Sequence, residues 1–262
     1  MDLGIRGKTA LVNGGSAGLG RASALSLARE GVELFVSARG EERLSRSCET
    51  IARETGTRVT PIVADHSSME GRRKILDACP DPDILVCTAT PPRLVMDFRA
   101  VGEDEMREAV ETGFMSPIRM MQDVIGGMVD RRWGRIVNIT SSAVKYPLQI
   151  RLLSGAPRAA LVNYSVAVSK VVASSNVTIN TLLPALHLTE GARSLLEPIA
   201  KSRGTSYEDE VSRQVETLQI PVGRFGDAED FGGIVAWFCS TQASYITGQS
   251  LVVDGGLSNS IF

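Results

Sequence analysis

Tyrosine is scarce in this 262-residue sequence, and the few tyrosines have a spacing that excludes one kind of catalytic site. Aromatic residues make up 5% of the chain, and only four of them are tyrosine. The residues four positions after these tyrosines are Ile150, Val168, Val211 and Gln249. None of them is lysine, so no site built on a Tyr-x-x-x-Lys pair exists in this chain.

An excess of charge of one sign is also absent. Lysine and arginine number 28 and aspartate and glutamate 30, which gives a formal net charge of −2. A nucleic-acid partner is therefore not expected, because binding phosphate requires clustered basic residues. No apolar run approaches the ~20 residues that span a bilayer, and residues 1–7 lack a signal-peptide core. We expect no membrane partner and a cytoplasmic location.

The four cysteines and two histidines do not form a metal-binding pattern. Cys48, Cys79, Cys87 and Cys239 contain no Cys-x-x-Cys pair, and the two histidines lie more than one hundred residues apart. Zinc sites require closely spaced thiolate or imidazole ligands. We therefore predict no metal and four reduced cysteines.

Short apolar runs alternate with segments of helical periodicity along the whole chain. The predicted strands are Thr9–Asn13, Glu33–Ser37, Arg58–Val63, Ile84–Thr88, Arg135–Thr140, Val177–Leu182 and Ser250–Val253, and the predicted helices cover about 18–30, 41–54, 69–78, 103–130, 152–173 and 228–240. Such alternation is typical of parallel βαβ units with right-handed crossovers. The sequence predicts an α/β, Rossmann-type, doubly wound parallel sheet of seven strands in a single domain, 1–262.

The segment 188–220 interrupts this alternation with two polar, helix-like stretches, about 190–202 and 206–218. It follows the sixth strand, and ligands of open α/β sheets bind beyond the carboxyl ends of the strands. We interpret 188–220 as a small helical lid, with a solvated hairpin of no functional role as the alternative.

A glycine-rich turn joins the first strand to the first helix. Glycines here permit a tight turn and a close approach of backbone to a pyrophosphate, which the helix N-terminus attracts. The residues predicted to bind cofactor in this turn are Asn13, Gly14, Ser16, Gly18, Leu19 and Gly20. The Gly-x-Ser-x-Gly pattern of a hydrolase elbow is also present, but it follows the first strand instead of a later one.

The end of the second strand bears on the choice of cofactor. NAD sites place a carboxylate there for the ribose hydroxyls, whereas this chain has Ala38 and Arg39. An arginine can pair with a 2′-phosphate. The sequence therefore favours NADP(H), with NAD(H) as the weaker alternative. The alternative for Arg39 is an ordinary surface arginine with no role in cofactor binding.

Taken together, these motifs resemble the short-chain dehydrogenase/reductase family over essentially the full chain, and the β-ketoacyl-carrier-protein-reductase-like subgroup in particular. The resemblance rests on the Asn13–Gly20 turn and on the segments 134–141, 177–189, 220–226 and 245–256. It implies strand order 3-2-1-4-5-6-7, hydride transfer between NADP(H) and a small carbonyl or alcohol substrate, and a homo-oligomer, either a dimer or a tetramer. It further implies cofactor contacts by Asp65, His66, Thr88, Ala89, Pro184 and Thr189.

The family's catalytic positions are matched only in part. In the resemblance Ser141 takes the place of the serine that hydrogen-bonds the substrate oxygen. The tyrosine position, thirteen residues later, is Ser154, and the lysine position is Arg158. The asparagine position of the fourth helix is Gly113. Three of four catalytic positions thus depart from the family's pattern.

Several residues are candidates for the missing acid. Lys145 lies in the loop that leaves the end of the fifth strand, where a desolvated lysine would act as a proton donor. Tyr146 is a second candidate in the same loop, at the rim of the predicted site. Arg158 would hold the ribose and supply charge, but it cannot shuttle protons. The alternative for both Lys145 and Tyr146 is that they are ordinary loop residues with no catalytic role.

Three functions remain open from the sequence. The first is an NADP(H)-preferring oxidoreductase of carbonyl or alcohol substrates with a non-standard proton donor. The second is a catalytically silent protein of the same fold that acts as a cofactor sensor or as a subunit of a hetero-oligomer. The third is reduction of an already polarised enone or iminium, which needs no strong acid.

Overall fold

The computed structural model describes residues 2–258, and the first half of this range is a regular succession of strands and helices. Its elements are β1 (Thr9–Asn13), α1 (Gly18–Arg29), β2 (Glu33–Ala38), α2 (Glu41–Thr55), β3 (Val59–Val63), α3 (Met69–Ala78), β4 (Ile84–Cys87), α4 (Glu103–Val110), α5 (Ser116–Asp130) and β5 (Gly134–Ile139). The observed bounds differ from the predicted ones by at most one residue for these five strands.

The second half contains residues 188–220, the segment that the sequence predicts to be a lid. Its elements are α6 (Leu152–Val172), β6 (Val177–Pro184), β7 (His187–Leu188), α7 (Glu190–Arg203), α8 (Tyr207–Leu218), β8 (Gly226–Asp227), α9 (Ala228–Phe238) and β9 (Ser250–Val253). Helices α7 and α8 occupy the predicted lid segment. They share a small apolar cluster of their own, centred on Leu196, Ile220 and Phe225.

The main sheet has seven strands in the order β3-β2-β1-β4-β5-β6-β9, and every neighbouring pair is parallel. The predicted fold class and strand order are therefore confirmed. The order reverses between β1 and β4, and the crevice at such a switch point is where open α/β sheets bind ligands.

Two local features differ from the predictions. The predicted helix over 103–130 is broken, because a π-helical turn, Glu111–Met115, separates α4 from α5. Single π-helical turns are frequent at functional sites, and this one contains Gly113. The second difference is the two-residue pair β7–β8, which links the start of the lid to the start of α9 and is too short for a sequence pattern to reveal.

The central strands are apolar at consecutive positions because helices cover both faces of the sheet. Strands β4, β5 and β6 are buried at every residue. One apolar cluster lies between the sheet and α1, α2 and α9, and the other lies between the sheet and α3, α5 and α6. The packed strands hold their carboxyl ends at one edge, from which the site is built.

Candidate active site at the carboxyl edge of the sheet

The glycine turn after β1 is packed so tightly that two of its positions tolerate no side chain. Gly14 has φ +76°, and a Cβ there would lie 2.5 Å from the Thr88 carbonyl oxygen. A Cβ on Gly20 would lie 2.4 Å from the Gly14 carbonyl oxygen and 2.7 Å from Thr88 Cγ2. The turn, the first turn of α1 and the residue after β4 thus form one close-packed cradle of backbone, as a bound pyrophosphate requires.

Asn13 supports this cradle from behind. Its side chain is fully buried, and its Oδ1 accepts a hydrogen bond of 2.6 Å from Ser37 Oγ. Its Nδ2 lies 4.0 Å from Cys87 Sγ. Burial raises the pKa of the Cys87 thiol to about 12 despite that contact, so Cys87 is a neutral packing residue. Asn13 therefore joins β1 to β2 and β4 and does not face the crevice.

The remaining residues of the turn have different surroundings. Ser16 is buried, and Leu19 packs against the apolar cluster under α1. The Gly18 amide opens α1 and donates a hydrogen bond of 2.9 Å to Glu190 Oε2 at the start of the lid. A carboxylate of the protein itself therefore occupies the helix N-terminus that is predicted to bind cofactor phosphate.

Arg39, Asp65 and His66 lie together beyond β2 and β3. Arg39 is exposed. Burial alone would raise the pKa of Asp65, but hydrogen bonds from the Ser67 hydroxyl and amide, with the charges of His66 and Arg39, bring that pKa below its usual value. The structure thus places the Asp65 carboxylate and the exposed Arg39 guanidinium at the edge where the sequence predicts the adenosine half of the cofactor.

The His66 ring turns away from this edge and into the protein. Its Nδ1 lies 2.6 Å from Ser116 Oγ, and that hydroxyl donates to the His66 carbonyl oxygen at 2.9 Å. Burial, and to a smaller extent the charge of Arg39, lower the pKa of His66, while Asp65 opposes them. The imidazole is therefore held neutral under the site, with its ring on α5.

Pro184 and Thr189 frame the entry to the lid. Pro184 ends β6 and is buried. Thr189 is the N-cap of α7, where its hydroxyl accepts a hydrogen bond of 3.1 Å from the Ala192 amide. A Cβ on Gly18 would lie 3.7 Å from the Thr189 side chain, so the first turn of the lid rests on the glycine turn.

Ser141 and Ser154 come from neighbouring segments at the same edge. Ser141 follows β5 and caps a 3₁₀ turn, where its Oγ accepts from the Ala143 amide at 3.2 Å. Ser154 lies in the first turn of α6 and is 3% exposed. These segments touch, because a Cβ on Gly155 would lie 3.2 Å from the Ala143 carbonyl oxygen.

Arg158 is buried beside Ser154 and has only neutral partners. Its Nη1 donates to Ser154 Oγ at 2.5 Å and to the Ser154 carbonyl at 3.3 Å, and its Nη2 donates to the Ala89 carbonyl at 3.4 Å. Burial, followed by the charge of Arg151, lowers the pKa of Arg158 to about 10. The guanidinium remains cationic at neutral pH, so the pair places a positive charge behind a hydroxyl.

The rim residues have a different environment from the one that the sequence predicts. Lys145 follows the 3₁₀ turn and is exposed. The expected desolvation of this lysine is therefore wrong, because its loop lies at the protein surface. Tyr146 is half-buried, and its amide donates to the Ser142 carbonyl at 3.0 Å.

A cavity of about 20 Å³ lies behind the Ser154–Arg158 pair. Its lining includes His66, Ala89, Gly113 and Arg158. A Cβ on Gly113 would lie 3.1 Å from the Pro157 Cβ, so the π-helical turn approaches α6 closely at this glycine. The cavity has room for about one water molecule, but its lining surface is mostly apolar.

Two residues join the site only in the structure. Glu190 reaches the glycine turn from the first turn of α7, and the charge of Arg151, which immediately precedes α6, contributes to the lowered pKa of Arg158. Arg151 lies just before α6, where its backbone is not helical, so helical periodicity gives no signal for it. Glu190 has no signal in the sequence either, because its partner lies 172 positions away.

Among residues 2–258, no group of three or more histidine, cysteine, aspartate or glutamate side chains is arranged to hold a metal ion. No helix of the described chain is long and apolar enough to cross a membrane.

A protein-family model described as "Enoyl-(Acyl carrier protein) reductase" matches residues 14–258 of this chain. The 3-oxoacyl-[acyl-carrier-protein] reductase FabG of Vibrio cholerae is 30% identical, with 97% of this chain and 99% of that protein covered. The uncharacterised oxidoreductase YvaG of Bacillus subtilis is 28% identical over the whole of both chains.

Solved structures agree in fold. The L-sorbose reductase of Gluconobacter frateurii, complexed with NADPH and L-sorbose, superimposes with a TM-score of 0.93 at 26% identity and covers 98% of each chain. YwfH, an NADPH-dependent reductase involved in bacilysin biosynthesis, gives 0.86 at 28% identity, with 97% of this chain and 99% of that chain covered. From the family model over 14–258, the relatives and the sheet order, we conclude that this chain belongs to the short-chain dehydrogenase/reductase family.

Proposed function

We propose that this protein is an NADPH-preferring oxidoreductase that reduces a carbonyl group to an alcohol with a serine–arginine pair in place of tyrosine and lysine. The observation that carries the proposal is the buried Ser154–Arg158 pair, which lies at the switch-point edge of the sheet. The similar reductases that are complexed with NADPH or described as NADPH-dependent support the choice of cofactor.

The chain offers a fitting place for the cofactor. Gly14 and Gly20 leave no room for a side chain in this cradle, and the turn presents the amides that open α1, which suits a pyrophosphate. Arg39 is exposed at the end of β2, where its fork can meet a 2′-phosphate, and Asp65 is ionised beside it. Thr88 and Ala89 continue this surface toward Arg158.

When bound, NADPH supplies the hydride that adds to the carbonyl carbon. The hydroxyls of Ser141 and Ser154 hold the carbonyl oxygen, and the Arg158 guanidinium stabilises the negative charge that develops there. Ser154 donates its hydroxyl proton to that oxygen and regains a proton from solvent. The guanidinium behind Ser154 stabilises the oxyanion that the serine passes through, which compensates for the poor acidity of a serine.

Lys145 is the rival proton donor. It is exposed after the 3₁₀ turn that follows β5, so it exchanges protons with solvent directly. In this version of the reaction Ser154 and Arg158 only position and polarise the carbonyl oxygen, and the Lys145 ammonium gives up the proton.

Steady-state kinetics with NADPH and a panel of ketones and aldehydes test the proposal. Ser154→Ala is expected to lower kcat by about 10²–10⁴, the range for loss of a positioned proton donor. Lys145→Ala, with the exposed Lys170→Ala as its matched control, is expected to leave kcat within about threefold. A loss of about 10²–10⁴ in Lys145→Ala alone would transfer the donor role to that lysine.

The silent alternative has its own signature in the same experiment. Tight NADPH binding without turnover of any carbonyl compound would contradict the oxidoreductase and favour a cofactor sensor. Absence of NADPH binding would contradict the cofactor assignment as well. We further propose that the protein is cytoplasmic, that it forms a homo-oligomer and that residues 188–220 act as its lid. Size-exclusion chromatography with light scattering tests the oligomeric state, because it measures the mass of the particle in solution.

A further inference from the structure

The two helices of the segment 188–220 are held together as one body. They share the apolar cluster described above. The Glu210 carboxylate on α8 is completely buried, and it accepts hydrogen bonds of 2.8 Å from Arg203, the last residue of α7, and from Thr205. Because α7 and α8 hold each other in this way, a motion of this segment relative to the sheet must be absorbed where the chain enters and leaves it.

Two short stems, residues 186–188 and 225–227, connect this segment to the rest of the protein, and they meet at His187. The strand β7 of the entering stem pairs in parallel with β8 of the leaving stem, and His187 lies opposite Gly226. The Gly226 amide donates a hydrogen bond of 3.0 Å to the Leu186 carbonyl. Since the pair has only two residues in each strand, its backbone hydrogen bonds contribute little stability by themselves.

The His187 side chain packs against both stems and against α9. It is 6% exposed, and its ring lies edge-on to the Phe231 ring of α9, with centroids 5.2 Å apart. A Cβ on Gly226 would lie 2.6 Å from the ring carbon Cδ2 and 2.7 Å from Nε2. The imidazole thus fills the space that a side chain on the leaving stem would take, and one buried ring joins the entering stem, the leaving stem and α9.

The ring nitrogens of His187 have almost no polar partner. Nδ1 lies 3.5 Å from the Ala185 carbonyl oxygen, at the limit of a hydrogen bond, and Nε2 packs against Gly226 without forming a hydrogen bond to any group of residues 2–258. A neutral imidazole with its proton on Nδ1 fits these surroundings, whereas a protonated one would bury a second N–H donor without an acceptor. In agreement with this geometry, burial lowers the pKa of His187.

The charged groups near the ring do not compensate a second proton. Asp227, the N-cap of α9, favours the imidazolium by its charge, but together with the Ala185 carbonyl it does not cancel the effect of burial on the pKa. Charged groups on the adjoining segments have other partners: Glu190 binds the Gly18 amide, Glu229 pairs with Arg29, and Arg224 pairs with Asp230. Binding of a proton is therefore favoured when the ring separates from its neighbours.

We propose that His187 is a positioning residue for the lid: its neutral imidazole joins the two stems, and binding of a proton releases them. The first turn of α7 begins two residues after His187 and rests on the glycine turn, where a Cβ on Gly18 would lie 3.7 Å from the Thr189 side chain. Release of the stems therefore frees the part of the lid that lies nearest to the predicted cofactor site. This inference rests on the proposed lid and is independent of which residue donates the proton in the reaction.

Hydrogen exchange of the free protein between pH 7.5 and pH 5.5 measures the stems directly. The probe is the Gly226 amide, and the amides of β5 report global unfolding. A released histidine titrates near pH ~6.5 and the packed one lower, so linkage of one proton should lower the protection factor of the probe about threefold to tenfold over this interval. A constant or rising protection factor would overturn the proposal. So would a protection factor equal to that of β5, because the stems would then open only in global unfolding.

Two variants of His187 locate the effect. His187→Phe keeps a ring without a titrating nitrogen, and His187→Gln is the second variant because the larger phenyl ring could disturb the packing on Gly226. Both should abolish the fall in the protection factor. His66→Gln is the matched control, since the His66 ring bonds Ser116 and not the stems, and it should leave the fall intact. A fall that persists in both His187 variants would overturn the role of this residue.

Steady-state kinetics connect the stems to the reaction. With NADPH and a ketone that the protein reduces, the KM for the ketone should rise about twofold or more from pH 7.5 to pH 5.5 in the wild type and stay level in His187→Phe. The same pH dependence in both proteins would overturn the link between the stems and substrate binding. If no carbonyl compound is reduced, the reductase function fails, whereas hydrogen exchange still decides the role of His187.

Discussion

The contact between Glu190 and the glycine turn predicts that removal of this carboxylate strengthens cofactor binding. Glu190 Oε2 accepts a hydrogen bond of 2.9 Å from the Gly18 amide. That amide belongs to the positive N-terminus of α1, which would bind the pyrophosphate of NADPH. NADPH must therefore displace Glu190 before its phosphates reach the helix, and Glu190→Ala abolishes this competition.

The size of the effect follows from the contact. The interaction is exposed, and a carboxylate at an exposed helix N-terminus contributes about 0.3–1 kcal/mol. Because each 1.4 kcal/mol corresponds to a tenfold change in affinity, Glu190→Ala should lower the Kd for NADPH about two- to fivefold. The same carboxylate lies in the first turn of α7 and stabilises that helix as well, so the Tm of the free protein should decrease slightly.

Titration of NADPH fluorescence at low and high salt measures the Kd. The matched control is Glu197→Ala, because Glu197 lies on the same helix but pairs with Arg193 at 2.9 Å instead of with the glycine turn. Glu190→Gln separates charge from size and should give part of the gain. Unchanged or weaker NADPH binding in Glu190→Ala, with Glu197→Ala equal to the wild type, would refute this reasoning.

Three further predictions concern the cofactor edge and stability. Arg39→Ala should raise the Kd for NADPH about tenfold and leave that for NADH nearly unchanged, because only NADPH carries the 2′-phosphate; equal effects on both would contradict the assignment. Gly20→Ala should lower the free energy of unfolding by about 1–3 kcal/mol, since its Cβ would meet the Gly14 carbonyl, whereas Gly233→Ala in open space on α9 should not, as chemical denaturation measures. Because burial lowers the pKa of His66, the unfolded chain binds a proton that the folded chain does not, and the Tm should fall as pH decreases below about 6.5. This dependence should weaken in His66→Gln, and scanning calorimetry between pH 7 and pH 5 measures it.

The larger part of the fold could be predicted because it is encoded locally. The apolar strands and the periodic helices lie at the predicted positions, and parallel βαβ units leave few possible sheet orders. The break in the helix over 103–130 was not predictable. The π-helical turn forms where Gly113 allows close packing against Pro157, and a contact between distant segments leaves no periodic signal.

The candidate site was also predictable from the sequence only in part. Counting thirteen and seventeen residues from Ser141 already led to Ser154 and Arg158, where the resemblance implies tyrosine and lysine, and their four-residue spacing on one helix produces the observed hydrogen bond. By contrast, the exposure of Lys145 depends on which segments pack around it, so the spacing of residues could not reveal it.

The sequence by itself determined the α/β class, the glycine cradle and the absence of the Tyr-x-x-x-Lys pair, because each depends on residue type at short spacing. Only the tertiary structure decided that His66 bonds Ser116 across 50 positions and that Glu190 caps Gly18 across 172. Such contacts form when folding brings distant strand ends to one edge. The burial and the charges of the side chains in these contacts then determine which groups are ionised.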